Sequence, residues 1–217
     1  MHSTIAHLDR KVMFFHAPNS RSAGTLALLE ELNADYELHL INFKTGEQRQ
    51  PAYRAINPMG KVPAIRHGDA LVAEQPAVFI YLADLFPEAG LAPAMGDPLR
   101  GPYLRWLVYY GSCLEPAMID RSLKRDPATP SASPYGTWDD VLNTINAQLA
   151  QGPYLLGERF TAADVLWGIA LDRVTAFKLV PETPQIRAYV DRVLARPAMR
   201  RAAAKDADWA AEQAALA

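Results

Sequence analysis

The chain has 217 residues, 50% hydrophobic and 21% charged, and its 22 basic and 24 acidic residues leave a net charge of -2. A single cysteine excludes an internal disulfide framework, a Cys-x-x-Cys redox pair and an all-cysteine zinc or iron–sulfur site. No Lys/Arg block exceeds two residues and no apolar run approaches the roughly 18 that a membrane span needs, so neither nucleic acid nor a bilayer is an expected partner.

Met1 to Arg10 lacks the apolar stretch of an export signal and reads as a short extension with no function of its own, which points to a cytoplasmic protein. Val12 to His16 is an apolar run stopped by Ala17-Pro18-Asn19-Ser20, the pattern of a buried strand entering a turn. Thr25, Leu28, Leu29 and Leu32 then recur at helical spacing, with Glu30 and Glu31 on the other face. Tyr36 to Phe43 reads as a second strand, and Thr45 to Ala55 as a weak helix interrupted by Pro51. Val62 to Ile65 and Leu71 to Ala73 flank Arg66-His67-Gly68-Asp69 as a hairpin. Pro76 opens a helix that runs through Phe86 and ends at Pro87. The order strand-helix-strand-helix-strand-strand-helix is that of an α/β thioredoxin-like unit.

Glu88 to Pro98, rich in Pro, Gly and Ala, reads as a linker, and the chain beyond it reads as helical. Helices are expected over Leu99 to about Lys124, Trp138 to Leu149, Ala162 to Phe177 and Gln185 to Leu194, with a proline-bearing loop from Asp126 to Pro134. The dense alanine near the C-terminus favours helix there too. Thr161-Ala162-Ala163-Asp164 has the spacing of a capping box, in which the Thr161 hydroxyl caps the Asp164 N–H and the Asp164 carboxylate returns to the Thr161 N–H. Standing before a strongly apolar helix, it is read as structural.

Three segments of the α/β half converge at one end of such a sheet. At Pro18-Asn19-Ser20-Arg21 the first helix presents free N–H groups that favour an anion such as a thiolate; alternatively Asn19 or Ser20 simply caps that helix. In Asn57-Pro58-Met59-Gly60-Lys61-Val62-Pro63, Pro63 belongs at an edge or bend. A cis bond there would expose the Val62 backbone to an extended peptide ligand; the alternative is a proline turn with no ligand. Glu74-Gln75-Pro76 opens the next helix, where free N–H groups suit a carboxylate and Glu74 an ammonium, unless the acid is ordinary decoration of a helix start. Together they suit a small peptide bearing both charges and a thiol.

These motifs carry a resemblance. From about Val12 to Ala204 the chain resembles the cytosolic glutathione S-transferase family of bacterial type. The carrying residues are Pro18-Asn19-Ser20-Arg21 with Leu28 to Leu32, Asn57 to Pro63, Glu74 to Val78 with Tyr81 to Asp84, and Tyr154-Leu155-Leu156-Gly157 before Phe160 to Asp164. The resemblance implies a thioredoxin-like glutathione-binding domain over 10–87 and an all-helical domain over 98–217, usually paired as a homodimer. It implies glutathione as cosubstrate, with no metal, and a thiolate added to a small hydrophobic electrophile. Isomerisation, dehalogenation, peroxide reduction or ligand carriage on the same fold are the alternatives.

The resemblance also implies residue roles. Val62, before a cis Pro63, pairs with the cysteinyl part of glutathione, Lys61 faces a glutathione carboxylate, and Glu74 with Gln75 holds the γ-glutamyl end. Gln75 departs from the serine usual at that position. With no Tyr or Cys at the first turn, Ser20 is the first choice to stabilise the thiolate and Asn19 the second. Trp106, Tyr109, Tyr110 and Met118 are candidates to line the electrophile pocket, unless they are core or dimer contacts. Cys113 reads as a small buried residue rather than a nucleophile, and the five histidines show no metal-ligand spacing.

Overall fold

The computed structural model describes residues 10–125 and 128–215. The extension read at Met1 to Arg10 therefore lies, apart from Arg10, outside the described residues. So do Asp126 and Pro127 of the expected proline loop.

Strand β1 (Val12–His16) is followed by α1 (Ser22–Glu31), β2 (Tyr36–Leu40), the single turn α2 (Pro51–Arg54), the hairpin β3 (Ala64–His67) and β4 (Ala70–Ala73), and α3 (Gln75–Leu85). The sheet order is β2-β1-β3-β4, with β1 parallel to β2 and antiparallel to β3, as expected of a thioredoxin-like unit. Four of the five β1 residues are buried, because helices cover both faces of this inner strand. In β2, at the edge, partly buried and exposed residues alternate, so one face meets water. The second strand ends at Leu40 rather than Phe43. Pro51 opens α2 rather than interrupting a longer helix, since proline suits a first turn, and β3 starts only after Pro63.

The helical half comprises α4 (Arg100–Tyr109), α5 (Glu115–Ser122), α6 (Trp138–Leu149), α7 (Ala162–Ala176), α8 (Pro184–Leu194) and α9 (Pro197–Ala215). The expected single helix from Leu99 to Lys124 is divided by a π turn at Tyr110–Leu114, where the Glu115 N–H bonds the Tyr110 carbonyl. Pro116 is the physical reason. It has no N–H for the Ser112 carbonyl and its ring would collide with that group, so the turn widens.

One continuous core joins the two halves. Phe14, Leu26, Leu29, Val78, Phe79 and Leu82 pack in the same cluster as Trp106, Trp167, Leu171 and Tyr189. Helix α9 lies along α1, and the seam is charged. Arg196 pairs with Glu31 at 2.6 Å, while Arg201 and Lys205 both engage Glu30. The Thr161 N–H and hydroxyl both donate to Asp164 Oδ2, at 2.8 and 3.0 Å. Asp164 Oδ1 meanwhile accepts from the Leu155 N–H and the Tyr189 hydroxyl, tying α7 to the preceding loop and to α8.

Candidate functional site

A cleft of about 870 Å³ opens between the C-terminal ends of the sheet and helices α5 and α7. Its α/β wall is made by Asn19, Ser20, Arg21, Lys61, Val62, Pro63, Glu74 and Gln75. The wall from the helical half is made by Tyr110, Glu115, Met118, Ile119, Arg173 and Phe177, among others.

The β1–α1 turn forms the floor. Asn19 takes a left-handed conformation at φ 58°, which asparagine tolerates better than most residues. The turn points the Ser20 hydroxyl at Ser22. Ser20 Oγ accepts the Ser22 N–H at 3.1 Å and lies 2.7 Å from Ser22 Oγ. Ser22 is fully buried, and its hydroxyl lies 2.8 Å from Nδ1 of His16, also fully buried at the end of β1. His16 Nε2 lies 2.9 Å from Asp206 Oδ1 on α9, close enough for a charge contact but off the line of the ring N–H. The other oxygen, Oδ2, accepts the Asn19 N–H at 3.1 Å. Burial alone would raise the Asp206 carboxyl. His16, the Asn19 N–H and Arg173 outweigh it and hold the group below the usual carboxylate range. Arg173 also donates to the Ser20 carbonyl at 2.5 Å, clamping the turn from α7.

The second segment is braced from behind. The Tyr53 hydroxyl and Asn57 Nδ2 donate to the Lys61 carbonyl at 2.7 and 2.9 Å. Gly60 sits at φ 62°, and a Cβ there would meet the Gln48 carbonyl oxygen at 2.6 Å, so only glycine fits. The Val62–Pro63 bond is cis. Among the described residues neither the N–H nor the C=O of Val62 has a backbone partner, so both remain for an extended ligand. Lys61 stands exposed on the rim.

At the third segment Glu74 adopts φ 65° and ψ 115°, a conformation disfavoured for any residue with a Cβ, and it is exposed at the mouth of the cleft. Gln75 turns inward. Its Nε2 donates to the Arg21 carbonyl at 3.0 Å and occupies the space left by Gly24, where a Cβ would approach that nitrogen to 2.7 Å. The amide thus steadies the start of α1, while Oε1 stays buried without a partner among the described residues.

Across the cleft, Arg21 grips Glu115 through Nε at 2.7 Å and Nη2 at 2.7 Å, and the Tyr110 hydroxyl donates to the same carboxylate at 2.6 Å. The Glu115 contact, outweighing burial, raises the Arg21 guanidinium, and burial followed by the Glu115 charge pushes the Tyr110 phenol up. Neither group changes charge near neutrality. Around them Met118, Ile119, Val174 and Phe177 make an apolar wall, with Phe177 74% exposed.

Ser20, Asn19, Lys61, Val62, Pro63, Glu74, Gln75, Tyr110 and Met118 therefore share one cleft. Trp106 and Tyr109 do not line it. Trp106 is fully buried, its carbonyl accepts the Trp167 indole N–H at 2.9 Å, and its ring packs edge-on against Trp167. Tyr109 packs against both tryptophans, and its hydroxyl points toward the Val141 carbonyl on α6. Cys113 is only partly buried, beside the core. Sequence reasoning missed His16, Ser22, Arg173, Asp206 and the Arg21–Glu115 pair. The one available signal was a histidine at the end of an otherwise apolar strand, next to the turn.

Two family models match the chain: glutathione S-transferase, N-terminal domain, over residues 11–84, and glutathione S-transferase, C-terminal domain, over residues 136–197. Glutathione S-transferase 3 of Zea mays is 28% identical over 203 residues, spanning 87% of this chain and 90% of its own length. A crystal structure of a glutathione transferase from Methylococcus capsulatus superposes with a TM-score of 0.74 at 29% identity, covering 90% of this chain and 98% of that one. A sphingomonad glutathione S-transferase complexed with glutathione gives a TM-score of 0.72 at 26% identity over the same shares.

Proposed function

Because the chain belongs to the glutathione S-transferase family, we propose that it joins the sulfur of glutathione to small hydrophobic electrophiles. The observation that carries this reading is a single cleft with two unlike walls. One offers a hydroxyl at Ser20, unpaired backbone groups at Val62, a cation at Lys61 and the start of α3 beside Glu74. The other is apolar around Met118, Ile119 and Phe177. The first wall suits a thiol peptide bearing an ammonium and carboxylates; the second suits the apolar body of an electrophile.

In this reading the Val62 backbone pairs with the cysteinyl residue, Lys61 faces a carboxylate, and Glu74 takes the γ-glutamyl ammonium while the α3 N–H groups take its carboxylate. Gln75 contributes its backbone and the support that its side chain gives the Arg21 carbonyl. Ser20 is the hydroxyl that meets the sulfur, with Asn19 holding the turn. A free thiol of pKa about 8.5 is mostly protonated at neutral pH, so a donor and the α1 dipole raise the thiolate fraction. The enzyme's remaining contribution is orientation of two bound reactants.

A homodimer would cover the shallow apolar surface of Val72, Ala77, Ile80, Tyr81 and Leu85. Among the described residues no helix is long and apolar enough to cross a membrane, in keeping with a cytoplasmic site of action. Calorimetric titration with glutathione tests the cosubstrate, and conjugation of an aromatic halide, run beside reduction of an organic hydroperoxide, tests the reaction. Binding with conjugation supports the proposal. Failure to bind at millimolar glutathione overturns it, and reduction without conjugation moves it to peroxide chemistry.

A further inference from the structure

We propose that His16 and Asp206, acting through Ser22 and Ser20, form a buried relay that takes up the proton of the thiol bound at Ser20. The proposal rests on the glutathione reading of the cleft and adds the destination of the proton.

Hydrogen-bond valence fixes the resting direction of the chain. An aspartate oxygen only accepts, so His16 Nε2, 2.9 Å from Asp206 Oδ1, carries a hydrogen. In the neutral ring Nδ1 is then the acceptor, and the Ser22 hydroxyl, 2.8 Å away, donates to it. Ser22 Oγ accepts the Ala17 N–H at 3.1 Å, and its remaining lone pair takes the Ser20 hydroxyl at 2.7 Å. The Ala17 carbonyl, at 3.2 Å, is the most distant of the groups around Ser22 Oγ. Ser20 Oγ accepts the Ser22 N–H and keeps one lone pair for the cleft. That lone pair is placed to accept an S–H.

Transfer reverses every link and balances. The S–H bond breaks, with its electron pair left on sulfur, and the proton passes to Ser20 Oγ. The Ser20 proton passes to Ser22 Oγ, and the Ser22 proton to His16 Nδ1. The result is an imidazolium beside the Asp206 carboxylate and a thiolate that receives the Ser20 hydroxyl as donor. Once the sulfur is alkylated, the proton returns along the same hydroxyls to solvent entering with product release. His16 and Asp206 are positioning residues that act through Ser20.

The surroundings suit an internal charge pair. Facing His16 are Asp206 and Trp209 from α9, Ser22 from α1 and Phe14 from its own strand. The next charged groups are Arg173, which is held on the Ser20 carbonyl and acts on Asp206, and Lys205, which is held by Glu30. A helix joined to the turn only for stability would require a donor for Asp206, which the Asn19 N–H already supplies. It would not require an unbroken line of exchangeable protons from the cleft to a buried imidazole.

The test is calorimetry of glutathione binding at neutral pH in buffers of different ionisation enthalpy, with the ultraviolet absorbance of the bound thiolate recorded in parallel. Wild type is expected to form thiolate while releasing far less than one proton per site to buffer. Ser22→Ala, which breaks the line, should release that proton to buffer or titrate the thiol about one pH unit higher, with affinity for S-methylglutathione changed less than about threefold. Asp206→Asn, which keeps an acceptor at Nε2 but removes the charge, should act in the same direction and serves should Ser22→Ala lose its circular dichroism. Release of a full proton by wild type, an unchanged proton count in the variants, or a parallel loss of S-methylglutathione affinity would each overturn the relay. If wild type fails to bind glutathione, the reading of the cleft falls first and the relay with it.

Discussion

Asp164 and Asp206 are both buried carboxylates on helices of the C-terminal half, yet they are held in different ways. Asp164 stands among neutral donors: two backbone N–H groups and the hydroxyls of Thr161 and Tyr189. Burial pushes its carboxyl up against the pull of those groups. Asp206 stands beside an imidazole and one N–H of the β1–α1 turn, and its carboxyl is held down. A carboxylate ringed by neutral donors fixes a chain path. One paired with a titratable ring at the edge of a cleft holds a charge that can move. The first reports on stability and the second on chemistry.

Four experiments would break or sharpen this contrast. The largest effect is expected at Asp164→Ala, which strands the Leu155 and Thr161 N–H groups and costs about 3–5 kcal/mol in urea unfolding. A loss below that would mean the loop finds other donors. Ser20→Ala should leave the thermal midpoint nearly unchanged while lowering kcat/KM for conjugation about 10–100-fold, the worth of one hydrogen bond to a charged atom. Equal losses of stability and activity would erase the distinction. Thr161→Ala removes only the hydroxyl bond to Asp164 and is expected to cost about 1 kcal/mol, measured by the same unfolding assay.

The smallest and most diagnostic effect is in acid. The lowered Asp206 group contributes stability that is present above the ordinary carboxylate pKa of about 3.9 and is lost as pH falls through its folded value. The stability margin of wild type over Asp206→Asn should therefore narrow below about pH 4. The raised Asp164 group has the opposite sign, so the margin relative to Asp164→Asn should shift in favour of wild type as pH falls through its raised value. Unfolding midpoints of the three proteins against pH give both slopes. Parallel slopes would refute the comparison.

How far each of these sites was legible depends on sequence distance. Thr161 and Asp164 are three residues apart on one helix turn, so the spacing alone brings them together, and the pairing of the Asp164 carboxylate with the Thr161 N–H is seen in the fold. The strands and the turn at Pro18 to Arg21 were legible for the same local reason. Helix faces after Tyr109 were not. The π turn adds a residue and rotates the helix by about 100°, so extrapolating a period of 3.6 residues grouped Trp106 and Tyr109 with Tyr110 and Met118. The helix from Pro197 was visible only as an alanine-rich tail, although it supplies the residue that faces His16.

Local chemistry in the sequence thus determined the element order, the thioredoxin-like sheet, the capping of α7 and the absence of any thiol at the first turn. That absence already required a sulfur nucleophile to arrive as a ligand. Tertiary structure alone decided what stands behind that turn. Asn19 and Asp206 are 187 positions apart and meet because α9 packs along α1. No periodicity or spacing encodes such a meeting, since it depends on how two helices seat against each other and not on either one's own residues.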